Sequence, residues 1–125
     1  MKILQAKNKI EGFDTINFNV NEVGLFPHID WLQKRMPKFR ESISKVGMLY
    51  PILVTDKEHY WNRGAKWPEG VTGLACHTGN KRLLWAKENG YDLIEGIFVN
   101  SEEEKIKIVH QTFMWKDSWP TEERI

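Results

Sequence analysis

Alternation of apolar and polar residues predicts a half-buried strand near the start of the chain. In the stretch Asp14–Val20, the apolar residues Ile16, Phe18 and Val20 occupy every second position. Side chains on one face of a strand recur with this period of two. We therefore expect these three residues to face a core and the residues between them to face solvent.

Helical spacing appears next, in two consecutive segments. The stretch Asp30–Arg35 predicts a short helix with its first residue as N-cap, and Pro37 suits the first turn of a second helix. Gly47 suits the left-handed residue that follows the end of that helix. The apolar positions of the second helix recur at i, i+4 and i+7 and are Phe39, Ile43 and Val46.

The second half of the chain predicts two further helices and three strands. Ser101 and Glu104 form a capping box, which opens the last helix. Its apolar face is expected to consist of Ile106, Val109 and Phe113. The other elements are strands over 48–55, 74–76 and 92–99 and a helix from residue 80 to about 89, with Gly90 as its stop.

With the two consecutive helical segments before residue 47 counted as one, the predicted order of elements is β-α-β-β-α-β-α, which indicates a small α+β (mixed α/β) domain. We assign this domain to residues 1–113, with an inserted loop over 56–73 and a tryptophan-containing tail over 114–125. No internal repeat or low-complexity block is visible in the sequence.

Composition narrows the class of protein. The 125 residues are 41% hydrophobic and 28% charged, with a net charge of +1, which is typical of a soluble globular domain and gives no general sign of nucleic-acid binding. No apolar run is long enough for a membrane span, and residues 1–7 lack the apolar core of a secretory signal. One cysteine excludes a multi-cysteine zinc site within the chain. A cytoplasmic protein without membrane contact is therefore expected.

The most informative local pattern is the segment Cys76–Arg82, which joins a predicted strand to a predicted helix. Gly79 permits close backbone approach, and the helix that follows presents unpaired amide donors at the positive end of its dipole. Lys81 and Arg82 add two cations at the same place. These parts predict an anion site suited to phosphate, although an ordinary strand-to-helix turn with two solvated basic residues explains the pattern as well.

Two blocks of the sequence, residues 39–54 (FRESISKVGMLYPILV) and 79–90 (GNKRLLWAKENG), resemble the two boxes of the ParB N-terminal/sulfiredoxin-like superfamily. The first box of that family is a helix ending "SI…G" with a short link to "PI.V", and the second reads "G..R…A…G". Both occur here in the family's order, and the resemblance covers about Thr15 to Val99. It implies a stand-alone member of the family, with a mixed sheet flanked by helices.

The resemblance also implies a function. Members include CTP-binding chromosome-partition proteins, ATP-dependent sulfiredoxins, free-serine kinases and ParB-like nucleases. The implied ligand is a nucleoside triphosphate, CTP or ATP, with Mg²⁺, and any hydrolysis or phosphoryl transfer would depend mainly on positioning and charge neutralisation. The residues that would surround the phosphates are Gly79, Asn80, Lys81 and Arg82, with His77 and Thr78 as phosphate or ribose neighbours.

The sequence departs from the family at positions that matter for chemistry. Asn80 stands where sulfiredoxins have their catalytic cysteine, and Cys76 precedes the glycine instead of following it. Thr78 stands where kinase-like members often have an acid. Three acids are equally arguable as a general base, so no catalytic residue is assigned; they are Glu22, Asp30 and Glu41.

Four cations without an intervening acid lie just before and at the start of the first box: Lys34, Arg35, Lys38 and Arg40. They are either a solvated helix surface or a second arm around phosphates. The second interpretation includes a DNA-binding module or an accessory module of a ParB-like nuclease, in which the same residues contact the nucleic-acid backbone.

Aromatic residues outside the two boxes leave a third function open, a non-enzymatic interaction or inhibitor domain. Trp61 and Trp67 in the 56–73 loop either stack on a base or pack the loop onto the sheet. Trp115 and Trp119 in the tail, like the 56–73 loop, are candidate contacts for a protein partner. The residues His59, Cys76 and His77, with Asp56 or Glu58, match no recognised ligand spacing, so we predict no metal site.

Overall fold

The computed structural model describes residues 1–25, 29–60, 67–68 and 70–113; of residues 29–35, 109, 112 and 113 it describes the backbone alone. The described elements are β1 (Ile3–Leu4), β2 (Ile16–Asn19), β3 (Val23–Gly24), α1 (Ile29–Val46), β4 (Ile52–Asp56), β5 (Leu74–Thr78), α2 (Asn80–Glu88), β6 (Leu93–Phe98) and α3 (Glu102–Phe113). None of these three helices is both long and apolar enough to cross a membrane.

All six strands belong to one mixed sheet. β6 pairs in parallel with β1 and β4 and antiparallel with β2. β4 pairs antiparallel with β5, and β5 pairs in parallel with β3. The domain is therefore the small α+β domain with a mixed sheet that the element order predicts. The predicted strand over 14–20 is observed as β2, with Phe18 buried as expected, but the predicted place of Ile16 in the core is wrong, because its side chain is 52% exposed.

The core is divided by the sheet. Along β4, Ile52 and Val54 belong to a large apolar cluster with α1 and α2, whereas Leu53 belongs to a smaller cluster with Ile108 of α3. Successive side chains of a strand point to opposite faces, so the two clusters lie on the two sides of the sheet. The helix that carries the first box and the helix that carries the second therefore share one side.

The two helices predicted before residue 47 are wrong; the structure has a single helix, α1, with Pro37 inside it. Proline in a helix interior removes one backbone hydrogen bond and usually breaks the helix. Here Met36, just before it, and Phe39, two residues after it, are fully buried, and this packing outweighs the local penalty. The predicted end is confirmed, because Gly47 follows α1 with φ +76° and donates its amide to the Ile43 carbonyl at 2.8 Å.

The start of α3 is confirmed, but one residue of its predicted apolar face, Ile106, is exposed, and the side chains of the other two, Val109 and Phe113, lie outside the described residues. The Ser101 hydroxyl accepts a hydrogen bond from the Glu104 amide at 3.2 Å. The Glu104 carboxylate in turn accepts a hydrogen bond from the amide of Asn100 at 3.1 Å. Ile106 is 61% exposed, and Ile108 is 2% exposed. Helical spacing relates the residues of one face to each other, but it does not say which face meets the sheet.

Candidate functional site

Gly79 is the whole connection between β5 and α2, and the structure gives a reason why this residue is glycine. It has φ +101°, in a region that residues with a Cβ rarely adopt. A Cβ placed on it would lie 2.8 Å from Cγ2 of Ile52, a fully buried residue at the start of β4. The backbone of the turn therefore packs closely against the sheet. A side chain at position 79 would require the core residues to shift.

The N-terminus of α2 has the electrostatic character of an anion site. Gly79 is the N-cap, and no side chain caps the helix or places a negative charge in its first turn. The Nη1 atom of Arg82 lies 3.3 Å from the position that a Cβ on Gly79 would take, so the guanidinium lies over the turn. Helix amides at a positive dipole end and an arginine in the same place attract a phosphate-like anion.

Lys81 connects the two sequence boxes. Its Nζ lies 5.5 Å from the centroid of the Phe39 ring, within the range of a cation–π contact. The residue at the start of α2 is thus directed toward α1, on which the first box begins. Both residues belong to the same side of the sheet, where Phe39 is buried and Lys81 is half-buried.

The remaining residues predicted at the turn lie around it. Asn80 donates its side-chain amide to the Cys76 carbonyl at 3.2 Å, which ties the start of α2 to β5. The Nδ1 of His77 lies 3.4 Å from the Thr78 hydroxyl. Thr78 is exposed and does not cap α2, because Gly79 takes the N-cap position.

The four cations predicted as a second arm around phosphates are only partly described by the structure. Arg40 makes two hydrogen bonds to Glu88, at 3.1 and 2.7 Å, and the pKa of its guanidinium is raised by this pairing. Glu88 ends α2, about 12 Å along the helix from Asn80 at 1.5 Å per residue. Arg40 therefore joins α1 to the far end of α2. Lys38 is exposed, and the side chains of Lys34 and Arg35 lie outside the described residues.

Cys76 is buried, and its thiol has low reactivity. Its side chain is fully buried, and its Sγ donates to the Thr78 carbonyl at 3.2 Å. Desolvation raises the pKa of the thiol to about 12, although Arg82 and the Thr78 hydrogen bond act in the opposite direction. Because the thiolate is the nucleophilic form, Cys76 is unsuited to the chemistry of a sulfiredoxin cysteine.

We expect Cys76 to link folding stability to alkaline pH. The folded state keeps the thiol proton up to a pKa of about 12, whereas the unfolded state loses it near 9.0. The unfolded state then binds fewer protons above pH 9, so its relative free energy falls by up to about 1.4 kcal/mol per pH unit. Urea unfolding from pH 8 to 11 is expected to show a steeper loss of stability for the wild type than for Cys76→Ala. Equal slopes would contradict this prediction.

The described part of the 56–73 loop is held by aromatic contacts. The ring of Tyr60 lies 5.5 Å from Trp67 and 6.1 Å from His77, between centroids. Trp67 donates its indole N–H to the Val71 carbonyl at 2.7 Å. These contacts join the loop to β5 two residues before Gly79, and stacking of a base there stays a prediction. Trp61, Trp115 and Trp119 lie outside the described residues.

Two further features are ones that sequence patterns did not predict. Asp56, Glu58 and His59, at the end of β4, bring their potential ligand atoms within 4.8 Å of one another. A groove of about 540 Å³ lies between residues 11–13 and α3, with Phe13 and Ile106 among its lining residues. Glu11 and Gln111 close one part of this groove by exchanging two hydrogen bonds, at 2.9 and 2.8 Å.

The site that best matches a recognisable chemistry is the turn at Gly79, where helix amides, a glycine in the left-handed region and Arg82 come together. Its residues come from the second sequence box, and Lys81 of this box contacts the ring of Phe39 in the first box. No family model and no curated protein matches the sequence, and no solved structure matches the fold.

Proposed function

We propose that the chain is a nucleotide- or phosphate-binding domain of the ParB/sulfiredoxin-like type. The anion would lie at the turn formed by Gly79, Asn80, Lys81 and Arg82, with His77 and Thr78 beside it. One observation carries the proposal: the guanidinium of Arg82 lies over a glycine that the core keeps free of a side chain. The glycine lets the chain turn sharply into α2, and the free amides at such a helix N-terminus bind phosphate.

The charges of the turn support this function. Hydrogen bonds from backbone amides and from an arginine to a phosphate are charge-assisted and about twice as strong as neutral ones. The first turn of α2 contributes no acid to oppose them. Near-neutral overall charge gives little long-range attraction, so the affinity would have to come from this local arrangement.

CTP and ATP with Mg²⁺ are the ligands that we propose. The donor set of the turn fits phosphate oxygens, because it consists of amides and a guanidinium. Mg²⁺ prefers oxygen ligands, and with no acid in this turn it would be held mainly by the phosphates, whose charge it would neutralise. The chain's own part is then to bind and orient the phosphates through Arg82 and the amides of residues 79–81.

Calorimetry with CTP, ATP and tripolyphosphate, each with Mg²⁺, tests the proposal. Arg82→Ala is expected to weaken binding by about 10- to 100-fold, the value of a charged hydrogen bond, and Arg82→Lys to recover only part of it. Lys45→Ala is the matched control, since this exposed lysine of α1 pairs with Glu41 on its own helix. Equal affinity of the Arg82→Ala and wild-type proteins would contradict the proposed site.

The same measurements with a short DNA duplex separate the alternatives. A response to DNA with a steep dependence on salt, and none to nucleotides, would favour the nucleic-acid module. No response to any anion would leave the interaction domain as the function. The nucleotide proposal is supported only if nucleotide binding is saturable and depends on Arg82.

A further inference from the structure

We propose that Asn89 is a site of chemical modification, at which water converts its side-chain amide to a carboxylate and the ammonium group of Lys2 promotes the reaction. Asn89 is the C-cap of α2, and with Gly90 it forms the one Asn-Gly pair in the sequence. Both residues of this pair are exposed. The site lies at the opposite end of α2 from the anion turn, so it does not depend on the proposed function.

The reaction takes place at the peptide group that joins Asn89 to Gly90. A hydroxide ion removes the proton of the Gly90 amide, and the nitrogen attacks Cγ of Asn89. A bond forms between these two atoms, the bond from Cγ to Nδ2 breaks, and Nδ2 leaves as ammonia after it takes a proton from water. Water then opens the resulting cyclic imide at either of its carbonyls, which yields aspartic acid or isoaspartic acid at position 89.

The ammonium group of Lys2 is in contact with this peptide group. Its Nζ donates a hydrogen bond to the carbonyl oxygen of Asn89 at 2.8 Å. When the Gly90 amide loses its proton, the negative charge is shared between the nitrogen and this oxygen. A hydrogen bond from a cation is stronger to a charged acceptor than to a neutral one, so Lys2 stabilises the attacking form of the peptide group.

Lys2 is held in this position by contacts of its backbone and of its side chain. Its backbone amide donates to Oδ2 of Asp92 at 2.9 Å, and its carbonyl accepts a hydrogen bond from the Asp92 amide at 2.8 Å. The ammonium group lies 4.3 Å from the centroid of the Tyr91 ring, within the range of a cation–π contact. The cation is therefore in place before the reaction begins.

The attacking nitrogen of Gly90 is accessible. The Gly90 amide makes no backbone hydrogen bond with the part of the chain that the structure describes, and a Cβ on this residue would meet no atom within 4 Å. One bond has to open before the attack, because Nδ2 of Asn89 donates to the Trp85 carbonyl at 2.8 Å. This bond lies in the exposed last turn of α2, and helix ends open readily. Asn89 can then rotate until its Cγ faces the nitrogen.

The modification changes the end of α2 that is joined to α1. The product carries a negative charge at the negative end of the helix dipole, and it lacks the donor to the Trp85 carbonyl. The new charge lies next to Glu88, which pairs with Arg40 of α1 at 2.7 Å. The reaction therefore acts on the residues that hold the two helices together.

Mass spectrometry of peptides from the full-length chain, incubated at mildly alkaline pH, tests the proposal. We expect the peptide that contains Asn89 to gain about 1 Da with time, the difference between an amide and a carboxylic acid. Lys2→Gln is expected to slow this gain by about 3- to 10-fold, the value of one exposed hydrogen bond, and Lys2→Arg to retain most of the rate. Lys45→Gln is the matched control, since it removes an exposed lysine of α1. In concentrated urea, the wild type and Lys2→Gln are expected to react at the same rate, because unfolding removes the contact with Asn89.

Four results would overturn the proposal. The first is a folded chain that gains no mass at Asn89 while the unfolded chain does, because folding then blocks the attack. The second is an equal rate for the folded wild type and folded Lys2→Gln. The third is an equal slowing in Lys45→Gln, which would assign the effect to overall charge. The fourth is a mass gain that persists in Asn89→Gln, which would place the reaction at another residue. Circular dichroism of each variant shows that the fold is retained, so a slower reaction in Lys2→Gln reports on the contact.

Discussion

Alanine at position 79 is expected to lower the free energy of unfolding by about 3 to 4 kcal/mol, although it adds only a methyl group. A residue with a Cβ at φ +101° is strained by about 1 to 3 kcal/mol. The new Cβ would also lie 2.8 Å from Cγ2 of Ile52, which is fully buried, so the core has to shift to accept it. Urea denaturation of Gly79→Ala measures the sum of the two effects.

The variant Gly90→Ala distinguishes the two causes of the stability loss in Gly79→Ala, which are backbone strain and steric contact. Gly90 follows α2 with φ +73°, and a Cβ on it would meet no atom within 4 Å. Its replacement is expected to lower stability by only about 1 to 2 kcal/mol, the backbone penalty alone. If Gly79→Ala and Gly90→Ala lower the free energy of unfolding equally, the contact of a Cβ at position 79 with Ile52 contributes nothing to the loss. If Gly79→Ala folds normally but binds no phosphate, the glycine serves the ligand more than the fold.

The elements that the sequence predicts well are those that bury one face. β2 lies within its predicted range, and α2 runs from Asn80 to Glu88 close to its predicted bounds. Such elements carry their own pattern, since the core selects apolar residues at fixed spacing. β1 and β3 have two residues each, which is too short for any period to appear, and they were not predicted.

The contacts that shape the candidate site depend on the tertiary fold. Arg40 and Glu88 are 48 residues apart, and no local pattern relates them. The Gly79 turn was predictable as a strand-to-helix connection with two cations, but not its contact with Ile52. The position of Arg82 over that turn likewise follows from how α2 lies on the sheet. Sequence alone therefore indicates the kind of site, and the packing of the sheet decides its geometry.

The orientation of α3 on the sheet predicts a second large effect of a substitution on stability. Ile106 and Ile108 lie on the same helix, two residues and thus about 200° apart around its axis. Ile108→Ala is expected to lower the free energy of unfolding by about 2 to 5 kcal/mol, because it leaves a cavity in the cluster with Leu53 and Ile97. Ile106→Ala, on the exposed side, is expected to change it by less than about 0.5 kcal/mol.

This pair decides between two faces of one helix with the same substitution in the same element. Helix propensity changes alike in both variants, so the difference between them reports burial alone. If Ile106→Ala were the more destabilising, the face predicted from the spacing of residues 106, 109 and 113 would be the buried one. The groove beside Ile106 would then be part of the core instead of an open surface. Urea denaturation of the two variants under one set of conditions therefore tests the placement of α3 on the sheet.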